Sequence, residues 1–384
     1  MNPRPAEGSR LATPSQELLL RAALLQGEPA LEAWREWDRR EVVEELDPAS
    51  DKLIGLLYRN LEEHGVEHPT MPKLKGVYRH TWFRNQTVLR QAGVPIRALR
   101  EAGIPTLALK GATLCPLYYR DFGVRGMEDF DLLVPPGRAA DAMAVLRSIG
   151  ATPTSAKAEA GIRLRHSEPF SHPDGWSMDL HWYSLWRSAS DQMLWDRAQP
   201  LEVGHESTLA PGPTHQLLLV CVHGADWDLK SPIRWIADAT AVIRSGDVDW
   251  DLLVEEAGRR LVTVALGSTL EYLRETVETP VPDDVLRRLH EAPSPRFERV
   301  GFRETGRPFG PRRTLYSIWE RNRRFERLRP PGPAPPPLLR NYYDHLSEAW
   351  GAEDPLEFSR EAASAAGRLV SRGVGAARAA ANGR

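Results

Sequence analysis

Gly126-Met127-Glu128-Asp129-Phe130-Asp131-Leu132-Leu133-Val134 sets two carboxylates two residues apart inside an apolar run. A β-strand sends alternate side chains to opposite faces. Phe130, Leu132 and Val134 then share one face, while Asp129 and Asp131 share the other, with Leu133 beyond them. The two aspartate Cα atoms lie roughly 6.5 Å apart along such a strand. Like charges that close raise each other's pKa and destabilise the fold unless something positive sits between them. Magnesium, a hard cation that takes oxygen ligands, is the first candidate. The simpler alternative is a strand end at which both aspartates reach water.

A second strand bears on the choice. Trp176-Ser177-Met178-Asp179-Leu180-His181-Trp182 alternates cleanly, so Ser177, Asp179 and His181 share one face and the apolar residues the other. Beside the first strand, Asp179 becomes a third carboxylate. Three carboxylates around magnesium (or manganese) ions suit phosphoryl transfer, in which one ion activates a hydroxyl and another steadies the leaving oxygen. Asp179 would serve the nucleophile side and is also a candidate base. His181 either lines this site or is a hydrogen-bonded strand residue.

Upstream, Ile104 to Gly111 reads as a short strand turning into a helix at Lys110-Gly111-Ala112-Thr113. Such a turn points free backbone N–H groups at an anion, and Gly111 lets the chain approach closely. Lys110 and the Thr113 hydroxyl are candidate phosphate contacts, and Arg125 is either another or half of a structural ion pair. The chain has neither a Walker A loop nor a dinucleotide-binding glycine fingerprint.

The surroundings are helical. From Ser15, a plausible N-cap, to about Gly103, apolar residues recur at three- and four-residue intervals. Pro95 is expected to bend the last of these helices or mark a boundary. Residues 135–150 read as an amphipathic helix, 161–170 as a strand, and 172–175 as a turn into the strand that carries Asp179. Helices resume after about residue 205. The division is 1–14 disordered, 15–95 helical, 96–200 core, 201–329 helical, and 330–384 a Pro-rich linker with a helical tail.

The 384 residues carry a formal charge of −2, so no global basic field points to nucleic acid or a membrane. No apolar run is long enough to span a bilayer, and the first thirty residues hold no signal peptide. Two cysteines, Cys115 and Cys221, form no disulfide framework and suit a reducing cytoplasm. Cys221 and His223 read as helix residues rather than zinc ligands. The abundance of Arg, Ala, Pro and Gly fits a GC-rich bacterial genome.

The segment 107–134 together with Met178–Trp182 resembles an uncharacterised bacterial nucleotidyltransferase family of the polymerase-β-like superfamily. The resemblance lies in Lys110-Gly111, the Arg125–Val134 run and the Asp179-Leu180-His181-Trp182 run. It continues at His223, Gly224, Trp227, Arg234, Trp235 and Asp238. It implies an α/β (α+β) core with a mixed sheet, flanked by N- and C-terminal helical regions. It also implies Asp129, Asp131 and Asp179 as the metal-binding triad, with a nucleoside triphosphate as substrate. The helical region carrying His223 and Arg234 would hold the nucleoside or the acceptor. The wider superfamily has Gly-Gly or Gly-Ser at the phosphate turn, nearer to the paired aspartates than Lys110-Gly111 stands.

The expected activity is transfer of a nucleoside monophosphate to a hydroxyl or phosphate of a small molecule or peptide, with release of pyrophosphate. The same chemistry on RNA is the alternative, because residues 296–329 interleave eleven arginines with aromatic residues. The bland reading of that stretch is a helix with core aromatics and solvated arginines. Transfer of a phosphate or a sugar from a nucleotide donor is a further alternative, and a non-catalytic nucleotide-binding module the least favoured.

Overall fold

In a computed structural model of the chain, the structure describes residues 12–155, 158–186, 190–226, 233–305, 311–327, 338–350, 352 and 354–364. Residues 1–11, the Pro-rich stretch 330–337, the last twenty residues and Trp227 therefore lie outside the described residues.

The chain opens with helices α1 (Pro14–Leu24), α2 (Glu28–Asp38), α3 (Pro48–Asp51), α4 (Ile54–Glu63) and α5 (Met71–Glu101). The first N-cap is Thr13 rather than Ser15. The Thr13 hydroxyl and the Gln16 side chain satisfy each other's backbone N–H groups in a capping box, and Pro14 takes the first helical position. Helix α5 continues through Pro95 to Glu101, so that proline is not a helix boundary.

Strand β1 (Leu107–Leu109) leads into α6 (Gly111–Leu114) and a π-helical turn, Cys115–Tyr119. Then come β2 (Phe130–Leu133), α7 (Ala139–Ser148), β3 (Thr152–Pro153), β4 (Ser167–Ser171), β5 (Ser177–His181) and α8 (Gln192–Asp196). A hairpin of β6 (Gln199–Val203) and β7 (Glu206–Ala210) precedes α9 (Pro213–Asp226), α10 (Arg234–Arg244), α11 (Trp250–Arg260), α12 (Thr263–Val277), α13 (Asp283–Glu291) and α14 (Arg296–Thr305). Helices α15 (Pro311–Arg327) and α16 (Leu338–Trp350) follow.

Among the described residues the strands form one mixed sheet of seven, in the order β3-β4-β5-β2-β1-β7-β6. Strands β2 and β5 are parallel neighbours, as are β1 and β7, and the other pairs are antiparallel. All four residues of β2 are buried. Leu107, Leu109 and Leu133 join the apolar cluster built by α1, α4, α9, α10 and α12. Their neighbours Ala108 and Leu132 point to the opposite face, where α5 packs against β2, β6 and β7.

Two expectations are corrected. The strand expected over 161–170 begins only at Ser167; residues 159–164 form helical turns that pack against α16, and Arg163 pairs with Glu348 at 3.0 Å. Helices resume at Pro213 rather than after about residue 205, because the hairpin β6–β7 occupies the chain up to Ala210. Gly204 and His205 both adopt positive φ (59° and 65°), the backbone of a two-residue hairpin turn.

The chain separates into two compact units, residues 1–154 with 167–308, and residues 155–166 with 309–384. Both glycines where α5 meets the β6–β7 turn are required there. A Cβ on Gly93 of α5 would lie 2.5 Å from the Gly204 carbonyl oxygen, and one on Gly204 would lie 2.5 Å from that of Leu89. Gly76, on the same helix, has open space around it. Gly93→Ala should therefore cost about 1 to 3 kcal/mol in urea unfolding, whereas Gly76→Ala should gain about 0.5 to 1 kcal/mol. Equal effects would mean that the helix–hairpin contact is not as close as described.

Candidate functional site

Strand pairing assembles the site. In the parallel β2–β5 ladder Asp131 stands directly opposite Asp179, and two residues further along β5 His181 shares the Asp179 face. Donor atoms of Asp131, Asp179 and His181 all lie within 4.8 Å of one another, close enough to hold one metal ion. Asp131 is 3% exposed. Its Oδ1 accepts from Lys110 Nζ at 2.5 Å and lies 3.0 Å from His181 Nε2.

The electrostatics divide the three aspartates. Burial works to raise the Asp131 carboxyl, but Lys110 and His181 outweigh it and hold the group well below the usual carboxylate range. Asp179, half-buried, is raised by burial and by the charge of Asp131. Asp129 precedes β2 and is exposed, outside the donor group. Partial desolvation and the charges of Asp131 and Asp179 raise its carboxyl too. Burial opposes the Lys110 charge, yet Asp131 raises its pKa overall. The crowding of three carboxylates on one ammonium is the chemistry of a site that fits a further cation.

The Lys110-Gly111 turn differs in detail from its expected form. Lys110 itself adopts the unusual backbone, φ 49° and ψ −122°, which strains a non-glycine residue. Gly111 is needed for space, because a Cβ there would meet the Arg125 guanidinium and Met127 at 2.5 Å. Thr113 is fully buried, and its hydroxyl lies 2.9 Å from both the Lys110 carbonyl and Gln216 Oε1. It is committed to holding the turn. Helix α6 lasts only four residues before the π-helical turn.

Arg125 does not reach the β2 carboxylates. It forms a buried two-pronged pair with Asp238, at 2.8 and 3.0 Å, and the Tyr119 hydroxyl bonds the same carboxylate at 3.0 Å. Asp238 is thus taken by Arg125 rather than by Arg234, one turn earlier on α10. Arg234 donates to the Gly126 carbonyl at 3.0 Å, and burial together with the Arg125 charge lowers its pKa. Gly224 lets α10 approach α9: a Cβ there would lie 2.4 Å from the Trp235 indole. A cavity of about 110 Å³ adjoins the carboxylates, lined by Lys110, Arg125, Gln216, His223, Arg234 and Asp238 among others. Cys115 and Cys221 are buried thiols outside the donor group.

Asn85, on α5, escaped the sequence reading. Fully buried, it donates to the carbonyls of Phe122 and Arg125 at 2.7 Å and accepts from the Met127 N–H at 2.9 Å. It clamps the loop that delivers Asp129 and Asp131. A lone asparagine inside a long helix was the available signal.

Burial pushes the His223 imidazole down to about 3, with the Lys110 charge acting the same way. The folded value lies below the ordinary 6.5, so between them the unfolded chain binds more protons. Stability from this residue is full above pH 6.5 and is lost as the pH falls towards 3. Replacing His223 by Gln should flatten the fall in melting temperature over that window; parallel wild-type and variant curves would contradict the burial assigned to it.

A family profile described as an uncharacterised nucleotidyltransferase matches residues 49–278. No curated protein matches the chain. Among solved structures, it is similar to an antigenic nucleotidyltransferase-like protein from Paracoccidioides brasiliensis, at 15% identity and a TM-score of 0.34, over 54% of this chain and 95% of that one. That likeness is too loose to carry an argument.

Proposed function

The chain belongs to this uncharacterised nucleotidyltransferase family, and from that premise we propose that it transfers a nucleoside monophosphate from a nucleoside triphosphate to an acceptor on a polymerase-β-like core. The observation that carries the reading is the gathering of Asp131, Asp179 and His181 beside a cavity lined by Lys110 and Arg234. Asp131, Asp179 and His181 would hold a divalent cation, magnesium or manganese, with Asp129 at its edge. A cation bound there lowers the pKa of an attacking hydroxyl and offsets triphosphate charge.

The chain's own groups supply the rest. Lys110 and Arg234 bring positive charge to the phosphates. Arg125, neutralised by Asp238, fixes the loop that carries Asp129 instead of binding substrate. Asp179, on the nucleophile side of that cation, is also the candidate to take the acceptor proton. The acceptor oxygen bonds to the α-phosphorus, and the bond to the bridging oxygen breaks, so pyrophosphate leaves with the electron pair. Neutral His223 offers hydrogen bonds to the nucleotide without adding charge.

A small molecule or peptide is the favoured acceptor class, in keeping with the formal charge of −2. The arginine-rich stretch 296–329 is the segment that would serve RNA instead. It is divided between the two compact units, and residues 306–310 and 328–329 lie outside the described residues, as does Phe309. Phe297, Phe302, Tyr316 and Trp319 are half-buried. No described helix is long and apolar enough to cross a membrane.

Asp131→Asn should lower pyrophosphate release from nucleoside triphosphate by at least about a hundredfold with the circular dichroism spectrum unchanged. Lys110→Ala should raise the KM for the triphosphate by roughly tenfold. Undiminished turnover in the first variant would remove the carboxylate centre, and unchanged nucleotide affinity in the second would remove the phosphate role of Lys110.

A further inference from the structure

A second cavity, of about 370 Å³, lies between α1, α4, the π-helical turn and α10, all in the first compact unit. It shares no lining residue with the cavity beside the carboxylates. Its size falls in the range of small-molecule sites. Three arginines line it, Arg59, Arg120 and Arg244, against one carboxylate, Glu63.

That carboxylate is already engaged. Arg59 pairs with Glu63 at 3.6 Å and with Asp121 at 3.7 Å, and donates to the Tyr119 carbonyl at 3.4 Å. The guanidinium groups of Arg120 and Arg244 make no hydrogen bond or ion pair with any described residue. The backbone that presents Arg120 is irregular twice over. It leaves a π-helical turn, and Arg120 itself takes a left-handed φ of 53°. Both features concentrate at functional positions.

We infer that this cavity is a second anion site, separate from the carboxylate centre, that takes a phosphate-bearing small molecule on Arg59, Arg120 and Arg244. Guanidinium forks match phosphate oxygens in geometry as well as charge. Three of them lining one concave space give it a positive balance that such an anion would offset. Arg59 is pre-positioned by its own partners, while Arg120 and Arg244 have their donors to give. The site stands whether or not nucleotidyl transfer is the reaction next to it.

Binding of labelled inorganic pyrophosphate to the full chain, with divalent cations chelated, tests this. Wild type, the Arg120→Gln/Arg244→Gln pair and Lys110→Ala are compared, with thermal melts as a check on folding. One class of sites should weaken by roughly tenfold or more in the arginine pair and survive in Lys110→Ala. Should the pair melt early, Arg244→Gln alone, at an exposed helix position, should show the same loss. Pyrophosphate binding equal to wild type in folded arginine variants would overturn the site. So would binding that disappears entirely in Lys110→Ala, or none in wild type.

Discussion

The site depends on one register. Strands β2 and β5 run parallel with Asp131 opposite Asp179, and no loop has to fold correctly to bring those two carboxylates together. A slip of one residue would turn every side chain of β5 to the other face. Met178 and Leu180 would then replace Asp179 and His181 beside Asp131. Burial prevents the slip, because Met178 and Leu180 are almost fully enclosed on the opposite face. The apolar alternation that makes the sheet is therefore also what places the polar groups.

The same burial sets the charge balance around the carboxylates. Asp131 is enclosed and keeps its charge only because Lys110 and His181 reach it. Arg125 and Asp238 solve the same problem in the wall of the cavity, as a closed pair with Tyr119. Taking one partner from such a buried pair costs on the order of 3 to 5 kcal/mol. The remaining groups differ in kind. Asp129 and Asp179 are raised by burial and by neighbouring carboxylates, and Arg234, which lines the cavity, donates to a backbone carbonyl. Arg125 and Asp238, though paired, also line the cavity, beside Lys110 and Arg234.

Much of this was legible in the residues. The alternation of Phe130–Leu133 and of Met178–Trp182 located both strands and the two facing aspartates, because period-two patterning on a buried sheet leaves little choice. Helices α9 to α12 followed from apolar spacing in the same way. The hairpin β6–β7 was hidden because its inward positions are polar: Glu206 is held by Arg97 and Arg100, and Thr208 by Thr106. Such partners come from distant segments and leave no local pattern. Lys110 taking the left-handed backbone, Asn85 clamping the loop and the choice of Arg125 by Asp238 are likewise products of long-range packing. The helical turns over 159–164 were misread because their fate is set by α16, nearly two hundred residues away in the chain.

The most direct test of the account follows the phosphorus atoms. The protein is incubated with magnesium or manganese, extracts of small molecules and of RNA, and ATP labelled at either the α or the γ position. The account predicts α-label on an acceptor of small size, with γ-label released as pyrophosphate. Label transferred from the γ position alone would contradict nucleotidyl transfer and make the chain a phosphotransferase on the same carboxylate centre.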